Sequence, residues 1–281
     1  MIRVLAIGDI MGKAGRQAIG HFLPSLRERF NPDAVLVNGE NAAGGFGLTE
    51  KIYDQLINQF GVDCVTMGNH WSDKREFIRF AEQADRIVLP ANMMNVNDPA
   101  KGVRIITTKS GKQLAVMNII GKTFMHADNL SPFAHLEKML NLIPQSVKVR
   151  VLDIHAEATS EKQGVAQHLA GRVSLIYGTH SHVPTADERI LGGRTGFITD
   201  VGMTGPYDSV IGIRKEAAIK RLMTGEKKNF QPASRDRWLC AVVADMDEDD
   251  GRCVSIQRLR LEVPEHDVPD RSNDGPEEKD D

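Results

Sequence analysis

Short, continuously apolar β-branched runs alternate with longer amphipathic stretches through the first half of the chain, and this alternation narrows the fold more than any other feature. Arg3–Ile7 (RVLAI), Ala34–Asn38 (AVLVN), Val62–Met67 (VDCVTM) and Arg86–Leu89 (RIVL) read as strands, with helical patterns over 14–30, 49–60 and 73–84 between them. Strands that lack polar alternation are buried on both faces, so the spacing predicts a parallel sheet covered by helices on both sides. The pattern then changes. Val103–Lys109 and Gln113–Ile119 flank a Ser-Gly-Lys turn and predict an antiparallel hairpin. Two more hairpins are predicted from Glu188–Leu191 with Gly196–Thr199 and from Trp238–Asp245 with Cys253–Leu261. Strand–helix alternation returns at Val149–Ile154, helix 160–169 and Val173–Tyr177, and a further helix is expected over 215–222. The fold class expected is α/β: one layered α/β sandwich with antiparallel hairpins, a single domain over 1–264. Segment 121–144, with one helix near 132–142, is expected to form a small cap-like insertion.

Composition bounds the rest. A chain of 281 residues with 41% hydrophobic and 26% charged residues can build one substantial core. Charge is unevenly spread: eight acidic and two basic residues fall between Glu265 and Asp281, which predicts an acidic, disordered tail over 265–281. The body without that tail carries about +3, enough to favour a small anion but far below the field of a dedicated nucleic-acid binder. RNA ends are therefore not indicated as a partner. Cys64, Cys240 and Cys253 sit in apolar runs without metal-knuckle spacing and read as reduced core thiols. The amino terminus reaches Asp9 too soon for a signal peptide, and no run approaches the ~18 apolar residues of a membrane span, so a cytoplasmic protein is expected.

The chemistry is carried by what stands at the strand ends. Asp9 follows VLAIG, Glu40 and Asn41 follow VLVNG, and Asn69 and His70 follow CVTMG; His155 follows VRVLDI, and His180 and His182 follow SLIYGT. Carboxyl ends of parallel strands open on one crevice, where ligands bind. Gly8, Gly39, Gly68 and Gly178 precede four of these groups, where a small residue allows a sharp turn and close approach. Each fragment alone is compatible with an ordinary turn. Five strand ends that all deliver metal-ligand side chains are not.

In this order, GD…GEN…GNH…H…GTHSH resembles the calcineurin-like metallophosphoesterase superfamily, which implies a metallophosphoesterase-like sandwich and a two-metal site. More narrowly, GDIMGKAGR, NGENAAGGFG, GNHWSD, DIHAEATSEK, GTHSHVPTADERIL and DVGMTGPYDSVIG resemble the bacterial YmdB-type phosphodiesterases, over residues 8 to 212. The chain departs from the wider superfamily at its first motif. Met11 stands where a histidine ligand is usual, and Asn41 is read as the oxygen donor that replaces it. The resemblance then implies Asp9, Glu40, Asn41 and His182 at one metal and Glu40, Asn69, His155 and His180 at the other, with Glu40 shared. Oxygen-rich ligation favours iron or manganese, ahead of magnesium or zinc, as the two divalent or trivalent cofactor ions. His70, beside Asn69 but outside that set, is the expected general acid.

Substrate-binding candidates are Lys13 and Arg16, in a Gly-rich segment at a helix start that suits a phosphate, and Phe46 in the AAGGFG loop beside Glu40. Asp153 and Glu157 flank His155 as partners for it or as plain surface charge. The resemblance implies hydrolysis of phosphate diesters, 2′,3′-cyclic nucleotides foremost, by a homo-oligomeric enzyme. A phosphomonoesterase or nuclease using the same residues, and a non-catalytic regulatory scaffold, are the alternatives.

Overall fold

The structure is a computed structural model that describes residues 1–126, 129–226 and 231–264; the tail expected over 265–281 lies outside the described residues. The chain runs β1 (Ile2–Ile7), α1 (Gly12–Phe30), β2 (Ala34–Asn38), α2 (Glu50–Asp54), β3 (Cys64–Thr66), α3 (Arg75–Ala81), β4 (Ile87–Val88). It continues through β5 (Val103–Thr107), β6 (Gln113–Ile120), α4 (Pro132–Asn141), β7 (Val149–His155), α5 (Thr159–Leu169) and β8 (Leu175–Thr179). β9 (Arg189–Leu191), β10 (Thr195–Ile198), β11 (Gly205–Pro206), α6 (Lys215–Thr224), β12 (Arg237–Met246) and β13 (Cys253–Glu262) complete it.

Two sheets result, not the single helix-covered sheet that the first half suggests. A seven-stranded sheet runs β11-β12-β1-β2-β3-β4 with β13 paired to β12, and a six-stranded sheet runs β5-β6-β7-β8-β10-β9. The β1-β2-β3-β4 and β6-β7-β8-β10 pairings are parallel, and all three predicted hairpins form as antiparallel pairs. The sheets pack face to face. Strand periodicity sorts each side chain to one layer or the other. Val4, Ala6, Leu36, Val116, Val151, Leu175 and Val242 fill the space between the sheets. Leu5, Ile7, Val35, Val37, Ala241 and Val243 turn outward under α1, α2 and α3. On the other side Met117, Ile119, Leu152 and Ile154 pack beneath α4 and α5. Continuous apolarity thus has a different cause from the one expected: one face of each strand meets helices and the other meets the opposing sheet.

Several elements are shorter than their patterns. The helix expected over 49–60 is α for one turn and then π over Gln55–Gln59, where the Phe60 amide donates to the Gln55 carbonyl. Val62 is tied to that turn through the Leu56 carbonyl, so β3 begins only at Cys64. α3 starts at Arg75 because Asp73 is engaged by His70. In segment 121–144, α4 buries Leu136 and Met139, with Ile143 beyond it, in the outer layer of the second sheet. The three cysteines are buried and unbridged, and among the described residues no helix is long and apolar enough to cross a membrane.

Candidate metal centre

All seven expected donors converge where the sandwich opens at the carboxyl ends of its parallel strands. Two groups form: the donor atoms of Glu40, His155 and His180 lie within 4.8 Å of one another, as do those of Asp9, Glu40 and His182. Glu40 belongs to both. Asn69 joins the first, with Oδ1 3.0 Å from His155 Nε2, and Asn41 the second, with Oδ1 3.2 Å from His182 Nε2. Met11 takes no part; it packs with Met203, Ile213 and Ala218 in a small apolar cluster.

The glycines serve close approach more than turning. Gly68 has no positive φ, and a Cβ there would lie 2.0 Å from Glu40 Oε2 and 2.3 Å from His155 Nε2. The sharp geometry falls instead on the ligands themselves: His180 (φ 93°) and His182 (φ 65°) hold the left-handed region that side chains disfavour.

Hydrogen bonds assign a tautomer to each histidine. Ile211 carbonyl oxygen, which can only accept, lies 2.8 Å from His182 Nδ1, so that nitrogen carries the proton and Nε2 presents a lone pair. Thr179 donates its hydroxyl proton to Asp153 (2.7 Å) and therefore accepts from His155 Nδ1 (2.9 Å), again leaving Nε2 bare. His180 Nε2 faces the Glu157 carboxylate at 3.4 Å, which leaves Nδ1 as its inward atom. Inward nitrogens then stand 3.0 Å apart (His180 Nδ1 to His155 Nε2) and 3.1 Å from Glu40 Oε2, with no proton between them. Asn41 Nδ2 donates to the Gly45 carbonyl, so its Oδ1 is turned to His182 as another lone pair. Asp9 Oδ1 is fully buried without a hydrogen-bond partner. Lone pairs gathered this closely repel unless a cation sits among them, so the residues fit the metal ions that the strand-end pattern implies.

Proton affinities tell the same story. Burial opposes charge on His155, yet Glu40, Asp9 and Asp153 outweigh it and push the imidazole up to about 9. In the metal-free protein a proton on His155 is the cation these carboxylates attract. Burial likewise raises the Asp9 carboxyl against the pull of His182 and His155. His180, desolvated and beside His155, is pushed down to about 3 and stays a neutral donor.

Beyond the donors, His70 Nδ1 lies 2.7 Å from Asp73 Oδ2, and its backbone amide donates to Glu40 Oε2 (3.3 Å). Phe46 packs edge-on against the His70 ring, 5.1 Å between centroids. Arg16 donates to the Ala42 carbonyl and so braces the 42–47 loop. Lys13 lies exposed in the first turn of α1, where the Gly12 amide is already taken by the Asn41 carbonyl. Sequence reasoning missed the support beneath the donors. Asn38, Thr66 and Thr179 all bond the buried Asp153 carboxylate. Their signal was phase: each continues the inter-sheet register of an apolar strand with a polar side chain.

Comparison with known proteins agrees with this geometry. A family profile described as "YmdB-like protein" matches residues 5–259. The chain belongs to the YmdB-like family. It is 42% identical over 260 residues to the "2′,3′-cyclic-nucleotide 2′-phosphodiesterase" of Bacillus subtilis strain 168, spanning 92% of this chain and 97% of that one. Solved YmdB-like neighbours include a protein of Thermus thermophilus, at 38% identity and TM-score 0.84 over 94% of this chain and all of the other. A Mycoplasma pneumoniae protein described as a novel phosphatase follows at 31% identity and TM-score 0.83, covering 93% of each chain.

Proposed function

We propose that this YmdB-like chain is a metal-dependent phosphodiesterase acting on small phosphate diesters, 2′,3′-cyclic nucleotides foremost. The observation that carries the reading is the convergence of unprotonated donors from Asp9, Glu40, Asn41, Asn69, His155, His180 and His182 beside His70. The name of the Bacillus subtilis relative supports the substrate class. Asp9, Glu40, Asn41 and His182 would hold one ion, and Glu40, Asn69, His155 and His180 the other. Nitrogen and oxygen donors without sulfur suit iron or manganese. When bound, such a pair of ions supplies Lewis acidity that activates water and neutralises phosphoryl charge.

The chain's own residues do the rest. Thr179, Glu157 and the Ile211 carbonyl hold each imidazole in its donating tautomer. His70 serves as general acid. Burial lowers its proton affinity, but the Asp73 hydrogen bond and the Glu40 charge outweigh that and raise it above the ordinary imidazole range. His70 therefore carries a proton near neutral pH. Asp73 occupies Nδ1, so Nε2 is the atom that delivers the proton to the departing alkoxide.

Protein loaded with manganese or iron should be assayed against a 2′,3′-cyclic nucleotide, a linear diester and a monoester. Preference for the cyclic diester supports the proposal. Preference for the monoester favours the phosphatase reading suggested by the Mycoplasma pneumoniae relative's name, and no turnover with metal bound favours a scaffold. His70→Ala is expected to keep its metal and lose about 10²–10⁴-fold in turnover of a nucleotide diester. A nitrophenyl diester, whose leaving group needs no proton, should be spared most of that loss. Loss of metal in His70→Ala would instead make His70 a ligand.

A further inference from the structure

Two residues of the family-like segments, Lys162 of DIHAEATSEK and Asp200 of DVGMTGPYDSVIG, have no part in the chemistry above, yet they meet in the interior. Lys162 Nζ donates to Asp200 Oδ2 at 2.6 Å, and both residues are 1% exposed. Burying such a pair is costly and seldom stabilises a fold over an apolar replacement, so its retention asks for another reason.

The reason lies in what else Asp200 holds. Its Oδ2 accepts from the Ser181 hydroxyl (2.8 Å) and the Ser181 amide (3.2 Å), and its Oδ1 accepts from the Gly202 amide (2.8 Å). Ser181 is the middle of the His180–Ser181–His182 turn, flanked on both sides by a left-handed histidine. Residues in that region cost about 1–3 kcal/mol each and persist only where their surroundings over-determine them. The turn's flanks are pinned by His180 N to Asp9 Oδ2 and Met203 N to the His182 carbonyl; its centre is pinned by Asp200 alone among the bonds described. Lys162 belongs to α5, which begins four residues after His155. The clasp therefore ties the helix behind one imidazole to the turn that bears the other two.

Given the metal-centre reading, which this inference rests on, we propose that Asp200 and Lys162 are positioning residues. Their buried pair locks the strained turn so that it delivers one imidazole to each donor group, His180 to that of His155 and His182 to that of Asp9. Neither residue touches an ion or substrate; both act through Ser181 and couple the two metal sites.

Metal-free, full-length protein should be titrated with Mn2+ by calorimetry, with thermal melting of the same metal-free samples. The variants are Ser181→Ala, which removes one strut, and Lys162→Met with Asp200→Asn together, which removes both charges and leaves none unpaired. The wild type is expected to bind two ions. The double variant should bind Mn2+ about 10–100-fold more weakly at both sites, and Ser181→Ala several-fold more weakly, with little change in metal-free melting. Wild-type affinity in both variants would overturn the proposal. So would an affinity loss that appears only where melting falls in step, since the pair would then serve the fold and not the turn. A wild type that binds no Mn2+ would instead sink the metal reading itself.

Discussion

A buried carboxylate oxygen without a partner, three imidazoles with bare inward nitrogens and two amide oxygens turned the same way define this protein at the residue scale. Each is a small electrostatic debt that only a cation settles, and each depends on a neighbour that the ligand motifs do not contain. Thr179 is the sharpest case, because its single hydroxyl proton goes to Asp153 and so dictates where the His155 proton sits. Thr179→Val keeps the shape but leaves His155 Nδ1 and one Asp153 oxygen unpaired. We predict about 1–3 kcal/mol of lost stability by urea titration and about 10–100-fold weaker manganese binding by calorimetry. Gly68→Ala tests crowding in place of hydrogen bonding. Its Cβ would fall 2.0 Å from Glu40 Oε2, so Glu40 or His155 must move and metal content after dialysis should drop while circular dichroism stays native. Full metal retention in that variant would mean that the glycine is dispensable.

At the scale of elements, the strand–helix alternation and all three hairpins were legible, because apolar period and turn chemistry are local properties. The pairing of two sheets was not. A strand such as β2 reads the same whether its two faces meet two helix layers or one helix layer and a sheet. In the structure Leu36 points into the inter-sheet layer while Val35 and Val37 point under the helices, all fully buried. Leu36→Ala should therefore cost about 2–5 kcal/mol in urea unfolding, as a cavity in a two-sided core does; a surface-like cost below about 0.5 kcal/mol would contradict that packing. The short β3 and the π turn before it were also hidden, since they follow from Phe60 and Val62 reaching back to Gln55 and Leu56 and not from any residue preference.

For the whole molecule, the centre links stability to pH and to metal. His155 is raised above its ordinary value to about 9 in the metal-free fold. A raised histidine stabilises fully below its unfolded value of about 6.5, and that contribution is lost as pH rises through about 9. The raised Asp9 carboxyl acts in the same direction, and the lowered His180 has completed its opposite effect below neutrality. The melting temperature of chelator-treated protein should thus fall between about pH 7 and 9.5, with a ceiling of about 3 kcal/mol in stability. Saturating manganese should abolish the fall, because the ion takes the place of the lost proton. A metal-free protein equally stable at both values would refute this account of the site.

Read alone, the sequence determined which residues arrive at the strand ends, because Gly-Asp, Gly-Glu-Asn, Gly-Asn-His and Thr-His-Ser-His are chemically unusual and the strands before them are strongly apolar. Only tertiary structure decided how those residues become a site. Whether His155 donates from one nitrogen or the other rests on Thr179 and Asp153, and the pose of His180 and His182 rests on Asp200 and on Lys162 from a different helix. Apolar periodicity and turn residues act over a few positions and are written in the chain. Proton placement and strained backbone are set by partners distant along the chain, which come together only when the two sheets close.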